Sequence, residues 1–296
     1  ETPAAFEFYM QARYPHMRLD RRNYEIAGRL AQKALEVDPN YDRAWALLAI
    51  SLTGLHGLSA SAEHGLQAAD RALALNPDLA EALAAKARVL AGLGRFDEAF
   101  VLHERSMELD PDSYDVRFLY GRSCFQTGRH HDAIVHWERA AELSETALSA
   151  VTSLDMSYVA TGQTEKALES NRRTLKRAEA ILAENSSDTY ALMCGVLALA
   201  RLGEVERAKQ WAVRVKAVDP DDPSIDFNIA CAMANLGEAE TALDMLEACL
   251  PRVDAAVFFV WMKQDTDLDP LRDFRRFQRL MASLEARASA APKPKD

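Results

Sequence analysis

Leu83, Ala87 and Leu90 fall on one face of a helix read from Ala80, and Val89 and Leu93 widen that face. After a short polar break, Ala99, Leu102, Ser106 and Leu109 form a second apolar face. Gly94 lies between the two. A glycine there can adopt the left-handed conformation that satisfies the last carbonyls of a helix. Asp97 is placed to cap the second helix. Asp110-Pro111 stops it, because the residue before a proline avoids the helical region. The pattern over Ala80–Pro111 therefore predicts two antiparallel helices joined by a tight turn.

The same pattern recurs. Gly94, Gly128 and Gly162 are 34 residues apart, as are Ala99, Ala133 and Ala167. Gly203 and Gly237 keep that step, and so do Ala208 and Ala242. A fixed period of this length marks a repeat array whose units bury their apolar faces on one another. Pro39 to Pro77 is 38 residues, which puts four extra residues around Gly54–Ser61. Gly162 to Gly203 is 41, which puts seven extra around Lys176–Ser187. Small residues recur where paired helices must touch: Ala49, Ala87, Gly121 and Ala230 in first helices, the repeated alanines in second helices. Asp155 takes the small first-helix place in one unit. A buried carboxylate there needs a partner, and a neighbouring hydroxyl or arginine would serve.

Residues 251–285 leave the period. Val257–Trp261 is apolar, and packs as core or forms an exposed dimer patch. Asp269 and Pro270 suit the N-cap and first position of a closing helix carrying Phe274, Phe277, Leu280, Met281 and Leu284. The expected organisation is an array of about six hairpins over 1–250, capping helices over 251–287 and a disordered tail over 288–296.

The net charge of −10 makes the chain a poor partner for nucleic acid, whose affinity rests on neutralised phosphates. Cys124, Cys194, Cys231 and Cys249 form no CxxC pair and lie in helical patterns, which favours buried fillers and a reducing, cytoplasmic setting. No apolar run is long enough to cross a membrane. The chain starts at Glu1 without a signal-peptide pattern, so a fragment of a longer protein is expected.

The 34-residue period, the Gly-x4-Ala step and the terminal Asp-Pro resemble the tetratricopeptide repeat over roughly residues 5–250. Trp45, Leu48, Leu52, Leu83, Leu90 and Tyr120 agree with its large apolar positions. Glu145, Asp155 and a loose turn through Pro15–Arg22 depart from it. The resemblance implies an all-α solenoid, a right-handed superhelix whose first helices line a concave groove. By register, one inner ring holds Ala46, Ala84, Phe118, Thr152, Met193 and Phe227. The next holds Ile50, Arg88, Arg122, Met156, Leu197 and Cys231. Arg88, Phe118, Arg122, Thr152, Met156 and Phe227 are thus candidate peptide-binding residues. Two guanidinium groups beside an aromatic suit a carboxylate or acidic peptide. Against that, both arginines can pair with Glu81 and Asp115 of the same helices. The family's carboxylate clamp of Lys and Asn is not matched.

Ala5–Tyr14 together with Asp267–Leu271 and Phe277-Gln278 also resemble the repeat region of bacterial signalling proteins, among them nucleotide cyclases, protein kinases and winged-helix regulators. That resemblance implies a regulatory or dimerising module for an upstream output domain. Phosphate loops, HExxH and GxSxG are absent, and His130, His131 and His136 do not converge on one helix. The expected function is a non-enzymatic scaffold for a protein or peptide partner, without metal or cofactor, and with a homodimer as one possible state. Overpacking the small second-helix site in Ala133→Leu should cost about 1–3 kcal/mol in denaturant unfolding.

Overall fold

The computed structural model describes residues 2–16, 18, 21–55 and 58–290. Among these, every regular element is a helix. The chain forms two compact units, one ending at Glu145 and one starting at Thr146. The first unit contains four hairpins: α1 (Pro3–His16) with α2 (Arg21–Val37), α3 (Asp42–Leu55) with α4 (Leu58–Leu75), α5 (Ala80–Gly92) with α6 (Phe96–Leu109), and α7 (Tyr114–Gln126) with α8 (His130–Leu143). The second contains three: α9 (Leu148–Ala160) with α10 (Thr164–Glu184), α11 (Thr189–Arg201) with α12 (Val205–Val218), and α13 (Pro223–Asn235) with α14 (Ala239–Cys249). It closes with α15 (Ala255–Gln264), a 3-10 turn over Thr266–Leu271 and α16 (Arg275–Ala290). The first four-residue insertion, around Gly54–Ser61, falls partly outside the described residues, as do residues 291–296 of the tail.

The glycine register has a direct backbone cause. Gly94, Gly128, Gly162, Gly203 and Gly237 all have φ between 72° and 80°. After α5, Arg95 N donates to Leu90 O at 2.9 Å and Gly94 N to Ala91 O at 3.1 Å. This paired bonding satisfies the last carbonyls of the helix. The same two bonds close α7, α9, α11 and α13. Arg95 is also the residue before α6, so the turn that ends one helix starts the next, and no side chain caps α6. Asp97 therefore does not act as the cap. It sits in the first turn of α6, where its charge suits the helix N-terminus. Some first helices use side-chain caps: Asp188 accepts from Ala191 N at 2.8 Å, and Asp254 from Val257 N at 3.0 Å, whereas α5 and α9 have none.

Paired helices meet at the small sites. A Cβ added to Gly121 would lie 2.5 Å from Trp137 Nε1, and one added to Gly195 would lie 2.1 Å from Trp211 Cζ3. Each tryptophan thus lies on the bare backbone of its partner helix. Asp155 occupies the corresponding place on α9, facing Asn171 on α10. The seven extra residues before Gly203 lengthen α10 to 21 residues, against 14 in α6, α8 and α12. Seven residues are close to two turns, so the apolar face keeps its direction.

The closing segment differs from its expected form. Asp269 and Pro270 belong to the 3-10 turn and do not open a helix. Asp265 caps that turn by accepting from Asp267 N, and α16 begins only at Arg275. Asp269 pairs with Arg272 at 2.6 Å.

Gly162→Ala should lose about 1–2 kcal/mol by forcing a left-handed residue, with no steric penalty, since a Cβ there meets open space. Gly121→Ala should cost at least as much through displacement of Trp137. Urea unfolding of both variants checks this, with near-UV circular dichroism changed only in Gly121→Ala.

Candidate functional site

In the first unit, Arg88 on α5 is half-buried, and its Nη1 is enclosed without a hydrogen-bond partner among the described residues. Burial, reinforced by the charge of Arg122 on α7, pushes the Arg88 guanidinium below the ordinary arginine range, while Tyr24 acts the other way. The two register-equivalent arginines are therefore close enough to repel. Asp115, a candidate partner for them, pairs with Arg13. Phe118 is not the expected groove aromatic. It is 4 % exposed, stacks on Tyr114 with ring centres 5.8 Å apart, and its carbonyl accepts from Trp137 Nε1 at 3.2 Å. Its place in the register is inward, but the Trp137 ring that fits against Gly121 encloses it.

Beside Arg88 lies a column of rings. Tyr120 is stacked between His103, at 4.9 Å, and His136, at 4.0 Å. His103 Nε2 is 2.8 Å from Ser123 Oγ. Burial, then His136 and Arg88, push the His103 imidazole down to about 3, so it is neutral at pH 7. His136 is pushed down to about 4, chiefly by burial. His130 meets a different ring, lying edge-on to Phe125 at 5.5 Å.

In the second unit, Thr152 and Met156 are half-buried, and Thr152 Oγ1 is enclosed without a partner among the described residues. Phe227 is 4 % exposed and meets Phe258 of α15 edge-on at 5.1 Å. It cannot receive a ligand side chain in this state, because the chain's own closing segment covers it.

Asp155 finds two donors. Its Oδ1 accepts from Asn171 Nδ2 at 2.6 Å and its Oδ2 from Arg201 Nε at 3.1 Å. Arg201 Nη2 also binds Asp267 Oδ1 at 2.6 Å and Thr266 Oγ1 at 3.2 Å. Asn235 donates to Asp267 at 2.7 Å. The neighbouring Asp265 accepts from Asp267 N at 3.0 Å, Trp261 Nε1 at 3.2 Å and the Cys231 thiol at 3.9 Å. Two buried carboxylates thus share one guanidinium, and a third, Asp265, lies beside them. Burial raises the Asp155 carboxyl to about 6; Arg201 opposes this and Asp267 adds to it. Burial and then Asp267 raise Asp265 to about 8. The sequence reading found Asp155 but missed Arg201, Asp265 and Asp267. The available signal was a last-turn arginine and an Asp-x-Asp in an apolar setting. Cys231, Asp265 and Asp267 place ligand atoms within 4.8 Å of one another. Asp267 is already engaged by Arg201 and Asn235, however, and the arginine charge opposes a cation.

Positive-φ glycines closing each first helix, small sites between paired helices and strict succession of hairpins together decide the architecture. The chain is an all-α solenoid of helical hairpins with the fold of the tetratricopeptide repeat. Residues 64–140 of this repeat protein match the family model described as anaphase-promoting complex, cyclosome, subunit 3. Among solved structures, the Cut9–Hcn1 hetero-tetramer of APC/C matches with a TM-score of 0.63 at 17 % identity, over 94 % of this chain and 55 % of that one. The human IFIT1 dimer with m7Gppp-AAAA matches with a TM-score of 0.57 at 19 % identity, over 91 % of this chain and 66 % of that one. The repeat protein thus spans less than two thirds of these neighbours, and at such identities the likeness concerns the fold. A search of curated proteins gives no sequence match. Among the described residues, no helix is long and apolar enough to cross a membrane.

Arg201→Ala should be the costlier change in the second unit, at about 3–5 kcal/mol, since it leaves buried carboxylates uncompensated. Chemical unfolding compared with Asp155→Asn, which retains a polar side chain, measures the difference.

Proposed function

We propose that this repeat protein is a non-enzymatic interaction scaffold whose first-helix face in the first unit receives an acidic peptide or acidic segment of a partner domain. The enclosed, unsatisfied Nη1 of Arg88 beside Arg122 supports this most directly. A buried donor without an acceptor costs free energy that an incoming carboxylate would recover. Two repelling guanidinium groups are also preorganised for an anion, because binding relieves their repulsion. Thr152, whose hydroxyl has no partner among the described residues, and Met156 form a separate candidate surface within the second unit. Phe118 and Phe227 act behind it as packing residues.

The IFIT1 structures hold capped or triphosphate RNA. The formal charge of −10 disfavours the continuous phosphate contacts on which nucleic-acid affinity rests, so RNA serves as a comparison ligand. Cys124, Cys194, Cys231 and Cys249 are buried thiols outside any disulfide, which agrees with a reducing, cytoplasmic setting. The end motifs leave the alternative of a regulatory module within a bacterial signalling protein. In that role, half-buried Val257 and Val260 of α15 are candidate contacts for a homodimer.

The test is calorimetric titration of an Asp/Glu-rich peptide library and a 5′-triphosphate oligonucleotide into wild type and Arg88→Ala/Arg122→Ala. Acidic-peptide affinity should drop at least tenfold in the double variant, corresponding to loss of more than about 1.4 kcal/mol. Unchanged peptide affinity would sink the reading, and tighter binding of the oligonucleotide would replace the peptide with RNA.

A further inference from the structure

The inner-face positions of α13 in the second unit are already occupied. Phe227 lies against Phe258 of α15, Cys231 against Asp265, and Asn235 against Asp267. All three belong to α13, and Arg201 of α11 joins them through Asp267 and Thr266. Leu268 and Leu271 of the 3-10 turn are fully buried. The segment from α15 through Leu271 therefore lies where register places a ligand, and it presents acidic and apolar groups to an arginine.

We propose that α15 and the Thr266–Leu271 turn form a proton-controlled strap over the inner face of the second unit, held closed when the carboxylates around Arg201 are partly protonated and released as they ionise. The geometry requires such control. Asp155, Asp265 and Asp267 converge on one cation, so at most one carboxylate is balanced when all are charged. Apolar burial of Leu268, Leu271 and Met262 holds the strap against the excess charge.

The groups facing the cluster come from every element around it. α9 supplies Asp155, and α10 supplies uncharged Asn171. α11 supplies Arg201, and α13 supplies Cys231 and uncharged Asn235. α15 contributes the indole of Trp261. α14 contributes the Cys249 thiol near Cys231, while its Glu240, Asp244 and Glu247 are held by Arg276 outside the cluster. Asp269 is held by Arg272, which also donates to the Asp265 carbonyl at 3.1 Å.

The sign follows from where protons are taken up. Asp155 and Asp265 are both raised above the ordinary carboxylate range in the closed state. The closed state binds more protons than the open one, so closure is strongest in mild acid and is lost as pH rises through about 6 and then about 8. Its consequence for partner binding rests on the groove reading above; the strap itself does not.

Cys231 reports the strap, since its thiol sits beneath Asp265. The experiment is thiol labelling of the full chain at pH 5.5–8.5, resolved by mass spectrometry, with Cys124 of the first unit as the internal reference for reagent and thiolate effects. The Cys231-to-Cys124 rate ratio should rise about tenfold per pH unit between pH 6.5 and 7.5, the slope for one proton released on opening. In Asp265→Asn the slope should flatten, and Asp155→Asn should remove the lower step near pH 6. Circular dichroism at each pH separates opening from unfolding. A flat ratio in wild type overturns the strap, and so does a slope unaltered in both variants. The acidic peptides are titrated at pH 6 and 8 in parallel. A labelling slope without peptide binding at either pH upholds the strap and counts against the groove.

Discussion

The close approach of paired helices governs the structure. Trp137 lies over the bare backbone of Gly121, and Trp211 over Gly195, so the distance between axes is set by a missing Cβ. Such contacts tolerate no added methyl, because interiors are packed to crystal-like density and relax only partly. The glycine turn makes the approach possible by folding the chain back within three residues. Capping and packing are one constraint: a hairpin whose turn is misplaced by one residue would put the wrong side chain between its helices.

Asp155 breaks this rule, and its position explains the second unit. A carboxylate at the contact cannot be left dry. Asn171 takes one oxygen and Arg201 the other. Arg201 in turn has donors left over, which Asp267 and Thr266 accept. That recruits the closing segment onto α11 and α13. One substitution at a packing position thus leads through an ion pair to a covered inner face, while the first unit keeps its ordinary contacts and an unsatisfied arginine.

Hairpin order, turn glycines and the lengthened α10 were legible because each repeats a local signal at a fixed step. The seven-residue insertion could be placed because helical periodicity survives two added turns. Inner-face positions were legible as register but not as exposure. Phe118 and Phe227 face inward, yet Trp137 and Phe258 enclose them, and those rings belong to other elements. Asp97 and Asp269 were misread for a related reason. Each has cap chemistry, but cap geometry depends on where the preceding turn leaves the backbone. The Arg201 cluster left only a last-turn arginine and an Asp-x-Asp as local signs, and no fixed step joins members as far apart in sequence as Asp155 and Asp267.

The two units meet charge in opposite ways. Around Arg88 two guanidinium groups lie together, and around Arg201 anion is in excess of cation. Neither is a stability solution, because burying an unmatched charge costs more than an apolar side chain of similar volume in the same place. Both are therefore unexpected in an array held together only by helix packing, where Ala, Leu and Trp suffice. An unmatched buried charge stores free energy that a ligand or a proton can release. In the first unit the missing group is an anion from outside. In the second the chain already supplies carboxylates, and the missing group is a proton. The acidic turn on Arg201 is, in chemical terms, an internal version of the ligand proposed for Arg88 and Arg122.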